Sequence, residues 1–153
     1  MKDLAPHQLD IIYGGASIGI MGELADACVE EKLKVIGVIP SLILEREFGH
    51  DKIHQLIEVD SMHARKEKIY ELSDAMLVLP GGFGTLDEAF EFITWNQLDI
   101  HDKKIAFLNW DRFFDPIIEF CKRAEEERFI KVYDQTEPKF FNETQSMLDW
   151  ILC

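Results

Sequence analysis

"LVLPGGFGTLDEAFEF", residues 77–92, runs from an apolar stretch through three glycines into a segment with acids at two successive positions. The apolar part has the length of a strand, and Leu86, Ala89, Phe90 and Ile93 then recur at helical spacing. A strand that turns on glycine directly into a helix is the building unit of a parallel α/β sheet. The same alternation extends in both directions. Strands are predicted at 9–14 ("LDIIYG"), 34–39 ("KVIGVI"), 75–81 ("AMLVLPG"), 103–109 ("KKIAFLN") and, more weakly, 131–134 ("KVYD"). Helices are predicted at 21–32, 65–72, 85–98, 116–128 and 143–152. Strands apolar on both faces and separated by helices imply a Rossmann-like parallel sheet covered by helices on both faces. The stretch 40–55, "PSLILEREFGHDKIHQ", reads equally as a functional loop or as a short helix.

The 153 residues suit one domain, 1–153, without repeats or low-complexity tracts. With 47% hydrophobic and 29% charged residues, the composition is that of a folded globular chain. No apolar run spans a bilayer and the first residues lack a signal-peptide core, so the expectation is a cytoplasmic protein with no membrane partner. A formal net charge of −13 argues against nucleic acid, whose backbone requires clustered Lys and Arg. Any anionic ligand must therefore be held by local donors such as backbone amides and helix N-termini. Cys28, Cys121 and Cys153 form no C-x-x-C pair, and His50 and His54 lack a third ligand, so no metal site is expected.

Two turns are rich in glycine. "YGGASIGIMG" (13–22) does not have the G-x-G-x-x-G spacing, and the next strand ends in "VIP" rather than in a ribose-binding acid, which disfavours NAD. "PGGFGT" (80–85) lacks the Lys-Ser/Thr ending of a P-loop, which disfavours an ATPase. What remains is a nest of amides from Gly81 to Thr85 at a helix start, suited to a phosphate monoester; the other reading is a turn made tight only to join strand to helix. Thr85-Leu86-Asp87-Glu88 also has the form of a capping box, Thr85 capping the helix and Glu88 reaching back, worth about 1 kcal/mol. A carboxylate there also lies within reach of whatever the amides hold. In "SMHARKEKIYELSDA" (61–75), interspersed charges read as a solvated helix face, with Met62 and Ile69 inward and Arg65 and Lys66 outward.

Together, "SMHARK" and "SDAMLVLPGGFGTLDEAFEFITWNQLDIH" resemble the M-H-x-R-K and P-G-G-x-G-T-x-x-E signatures of the LOG (lonely guy) family, phosphoribohydrolases that release cytokinin bases from nucleoside 5′-monophosphates. The resemblance extends through "IIYGGASIGIMGELADA", "VIGVIPSLILEREFGH" and "FLNWDRFFDPIIEF" to about residue 130. It implies Arg65 and Glu88 as catalytic residues, and Gly81, Gly82, Gly84 and Thr85 as the phosphate site. Lys66, Met62 and Gly15 would line the pocket on the same basis. It further implies a nucleoside monophosphate substrate, a homodimer, and chemistry that requires neither metal nor organic cofactor. Many relatives carry the label "possible lysine decarboxylase", but a pyridoxal-phosphate decarboxylase needs a Schiff-base lysine and a partner for the pyridinium nitrogen, and the resemblance supplies neither.

Family members have a further strand, turn and helix ahead of the segment matching "LDIIYGG", where this sequence has eight residues. The expected sheet therefore lacks the family's first strand and helix, leaving "LDIIYG" and "AMLVLPG" without a shared neighbour. The expected start lies upstream of Met1, or the chain is shortened, or another chain supplies the strand. Two functions follow: hydrolysis of the N-glycosidic bond of cytokinin ribotides or AMP, or binding of such a nucleotide without cleavage. The helix at 85–98, with Phe90, Phe92, Ile93, Trp95 and Leu98, carries more apolar surface than one sheet needs, which fits a homodimer.

Overall fold

The computed structural model describes residues 3–130 and 137–153; the strand expected at 131–134 lies outside the described residues. Contacts divide the chain into two compact units, 1–73 and 74–153. The first contains β1 (Ile11–Tyr13), α1 (Gly19–Glu30), β2 (Val35–Pro40), α2 (Ser41–Glu47), β3 (Gln55–Val59) and α3 (Met62–Leu72). The second contains β4 (Ala75–Val78), α4 (Phe83–Gln97), β5 (Lys104–Leu108), α5 (Asp115–Glu126), β6 (Lys139–Phe141) and α6 (Thr144–Leu152). The strands are parallel throughout, in the orders β1-β2-β3 and β4-β5-β6, and the fold is α/β and Rossmann-like.

The sheet is thus two three-stranded sheets rather than one. Among the described residues no strand pairs with both β1 and β4, so each is the edge of its own sheet. The middle strands are the most apolar: β2 is buried along its length, and β5 is buried from Ile105 to Leu108. This is the burial expected where backbone pairs on both edges and helices cover the faces.

In the first unit α1 presents Gly22, Ala25 and Cys28 inward, a stripe at spacing three. Ala25 and Cys28 pack with Tyr13 and Val35, flanked by Met21, Leu24 and Leu33. In the second unit Ala106, Leu108 and Met147 form a core with Leu77, Phe141 and Trp150 around it. Phe107 stacks on Phe140 at 4.8 Å and meets Phe114 edge-on at 5.1 Å.

Four strands and all five helices expected from sequence are found at shifted boundaries. The stretch 40–55 resolves into α2 followed by a loop and the start of β3. β3 and β6 were not anticipated. β3 exposes Gln55, Leu56 and Glu58, so it lacks the apolar run that marks a buried strand.

Candidate active site

The "PGGFGT" turn follows β4 directly, and α4 starts earlier than its sequence suggests. Gly82 is the N-cap, and Phe83 the first helical residue. Leu86 N–H donates to the Gly82 carbonyl at 3.2 Å, closing the first turn. Thr85 is therefore inside the helix, and Glu88 lies in its second turn. This corrects the capping-box reading: Gly is itself an acceptable N-cap, so Thr85 and Glu88 are not needed to start the helix. No side-chain cap bond is present at Gly82. Glu88 is half-buried.

The Thr85 side chain folds back over Gly81. A Cβ at Gly81 would overlap Thr85 Oγ1 and lie 2.9 Å from Thr85 Cβ, so the glycine makes room for that side chain. Gly82 and Gly84 differ: a Cβ on either would meet nothing within 4 Å, and neither has positive φ. Neither packing nor backbone conformation explains them. α4 nonetheless points its first-turn amides outward here, as every helix N-terminus does, and keeps the approach to them bare.

In the first unit, α3 is capped by Ser61, whose Oγ accepts the Ala64 N–H at 3.1 Å. Met62, the first residue of α3, is exposed rather than inward, because the helix begins there. Arg65 is half-buried rather than outward, and its Nε donates to the Val38 carbonyl of β2 at 3.2 Å. Lys66 is also half-buried.

Gly15 has φ +79, and a Cβ there would meet Val38 N and Ile39 Cβ at 3.1 Å. Its carbonyl accepts the His50 N–H at 3.1 Å, while Ser17 N–H donates to the Phe48 carbonyl at 3.0 Å. The loop after α2 is thereby sewn to the glycine turn after β1. His50 is buried, with Nδ1 accepting the Lys52 N–H and Nε2 at 3.5 Å from Asp26 Oδ1. The histidine is structural in this arrangement, and among the described residues no three His, Cys, Asp or Glu side chains gather as a metal site.

Of the residues singled out from sequence, Gly15, Met62, Arg65 and Lys66 fall in the first unit and Gly81, Gly82, Gly84, Thr85 and Glu88 in the second. Sequence reasoning passed over Gly14 and the Val38 carbonyl, which meet Arg65. The doubled glycine of "YGG" was the available signal. A cavity of about 300 Å³ lined by Trp110, Asp111, Asn142, Glu143 and Thr144 follows β5 and β6 and was also not anticipated.

Parallel strands joined to helices by glycine-lined turns place the chain among the Rossmann-like α/β proteins. Within that class, residues 21–151 match the family described as "Possible lysine decarboxylase", and the chain belongs to this family, of which the LOG proteins are members. It is 44% identical over 129 residues to the probable cytokinin riboside 5′-monophosphate phosphoribohydrolase LOG6 of Arabidopsis thaliana, covering 84% of this chain and 64% of that one. It is 43% identical over 129 residues to the cytokinin riboside 5′-monophosphate phosphoribohydrolase LOG of Oryza sativa subsp. japonica, covering 84% and 53%. The chain thus spans less than two thirds of these relatives' length. The molybdenum cofactor binding protein from the phototrophic bacterium Rippkaea orientalis has a similar structure, with TM-score 0.67 and 18% identity over 97% of this chain and 79% of that one. That likeness is one of fold.

Proposed function

We propose that this chain hydrolyses the N-glycosidic bond of nucleoside 5′-monophosphates, cytokinin ribotides or AMP, to free base and ribose 5-phosphate. The observation that carries the reading is Glu88: it follows the glycine turn, is half-buried, and is not a helix cap. Its relatives' names supply the reaction class.

Cleavage of a ribosyl bond passes through an oxocarbenium-like transition state, which needs negative charge beside the anomeric carbon and a positioned water. Glu88 supplies the charge and orients the water. Arg65, with a planar fork of donors, orients the substrate and assists departure of the base. The amides of Gly81 to Thr85 hold the 5′-phosphate, and the resemblance to the LOG proteins assigns Lys66, Met62 and Gly15 to nucleotide binding. Binding of that remote group positions the ribose, so a nucleoside without phosphate should react poorly. The roles need no metal or organic cofactor.

A homodimer belongs to the same reading. Leu98 and Ile100, at the C-terminal end of α4, are 64% and 56% exposed, and Phe120 beside Phe90 is 59% exposed. Thiols rather than disulfides at Cys28, Cys121 and Cys153 suit the reducing cytoplasm. Among the described residues no helix is long and apolar enough to cross a membrane.

Chromatography of AMP and isopentenyladenosine monophosphate incubated with the protein tests the reaction. Free base and ribose 5-phosphate in equal amounts are expected. Nucleotide binding with no base released by the full-length protein overturns the enzymatic reading in favour of a binding protein.

A further inference from the structure

We propose that Gly14 is a positioning residue whose missing side chain seats the guanidinium of Arg65 against the turn after β1. The role in catalysis rests on the reading of Arg65 given above; the seat itself does not. α3 packs on β1 and β2, which brings Arg65 over the end of β1. The Nε bond to Val38 O fixes one edge of the guanidinium to the middle strand. Gly14 makes room for its Nη2 end: a Cβ there would overlap Arg65 Nη2 and lie 3.1 Å from Arg65 Cζ. The remaining near neighbour is Met21 Sδ at 3.0 Å.

No other reason for glycine is visible at this position. Gly14 does not have positive φ, unlike Gly15 and Gly19. Its nearest neighbours are the ends of two long side chains and not backbone, unlike Gly37, where a Cβ would press on Gly15 Cα at 2.6 Å. A methyl group at 14 can therefore be accommodated by moving the guanidinium, at small cost to the fold and at full cost to the guanidinium's position. A displacement of that size at a group that orients substrate lowers turnover on the order of a hundredfold.

The test uses Gly14→Ala, Arg65→Ala and the double variant of the full chain, with ¹⁵N spectra in which the Arg65 Nε–H signal is assigned by its loss in Arg65→Ala. Gly14→Ala should move that signal. Any loss in thermal midpoint caused by Gly14→Ala should vanish on the Arg65→Ala background, because the overlapped side chain is gone. AMP turnover by Gly14→Ala should fall on the order of a hundredfold. An unmoved Nε–H signal overturns the proposal. So does a stability penalty that persists undiminished without the arginine. A moved signal with unchanged turnover overturns the catalytic reading of Arg65 and with it Gly14's part in the reaction, while the seat stands. If Gly14→Ala alone does not fold, the double variant decides: refolding on removal of Arg65 supports the seat, and failure to refold rejects it.

Discussion

Replacing Gly84 by alanine separates the two explanations of the "PGGFGT" turn. Gly84 is the second residue of α4, has no positive φ, and a Cβ on it would meet nothing within 4 Å. Without a ligand, then, the methyl group costs no packing. It removes the glycine penalty, which in a helix is about 0.5–1 kcal/mol relative to alanine. For a chain of this size the thermal midpoint should rise by about 1–4 °C. With a phosphate on the amides the sign reverses for binding. A hydrogen bond to a charged group is worth about 1.5–3 kcal/mol, so holding the phosphate off one amide should raise KM for AMP roughly ten- to hundredfold. The assay is base release against nucleotide concentration, alongside a melting curve. A raised midpoint with an unchanged KM would refute the phosphate site, since the methyl would then stand where nothing binds. A lowered midpoint would refute the claim that Gly84 is structurally dispensable.

Glu88→Gln should leave stability within about 0.5 kcal/mol, because Gln keeps the shape and can make the same hydrogen bonds to backbone, while turnover falls about 10²–10⁴-fold; full activity in this variant would leave the carboxylate with a structural role only. The Tyr13 hydroxyl is buried and has no hydrogen-bond partner among the described residues, and burial, with Asp26 and Cys28 adding to it, pushes the phenol up to about 12. Tyr13→Phe should therefore raise stability by about 1 kcal/mol in urea titrations, and a loss would show that the hydroxyl is bonded in solution. Asp115 accepts from Asn109 and Arg112, which hold its carboxyl below the usual carboxylate range. Its contribution is present above the ordinary value of about 3.9 and is lost as pH falls through the depressed one. The gap in thermal midpoint between wild type and Asp115→Asn should accordingly narrow from pH 7 to pH 3; a gap independent of pH would contradict the assignment.

The α/β alternation was legible because β2 and β5 are buried on both faces and so carry continuous apolar runs. β3 was not, since its side chains meet solvent at Gln55, Leu56 and Glu58, and a half-exposed strand shares its composition with loops. The start of α4 was misjudged for a different reason. Thr-x-x-Glu is a capping signal, but glycine can cap as well, and the first-turn amides need no intrahelical partner, so the sequence fits two starts. Arg65 looked like a surface charge because its partner is the backbone carbonyl of Val38, and a carbonyl has no letter in a sequence. The candidate residues were found by motif, whereas the seat of Arg65 required coordinates.

The bonds from Ser17 to Phe48 and from His50 to Gly15, together with the Ala16–Gly49 bridge, tie two loops far apart in sequence into a single small patch of sheet. Loops so joined open together, and the exchange of the Ser17 and His50 amide hydrogens with deuterium should report one opening free energy instead of two. A ligand that binds only the closed form of the first turn raises that free energy by its own binding term. The segment from Phe48 to His50 then becomes a gauge of occupancy, slowing its exchange as ligand is added even where it touches no ligand.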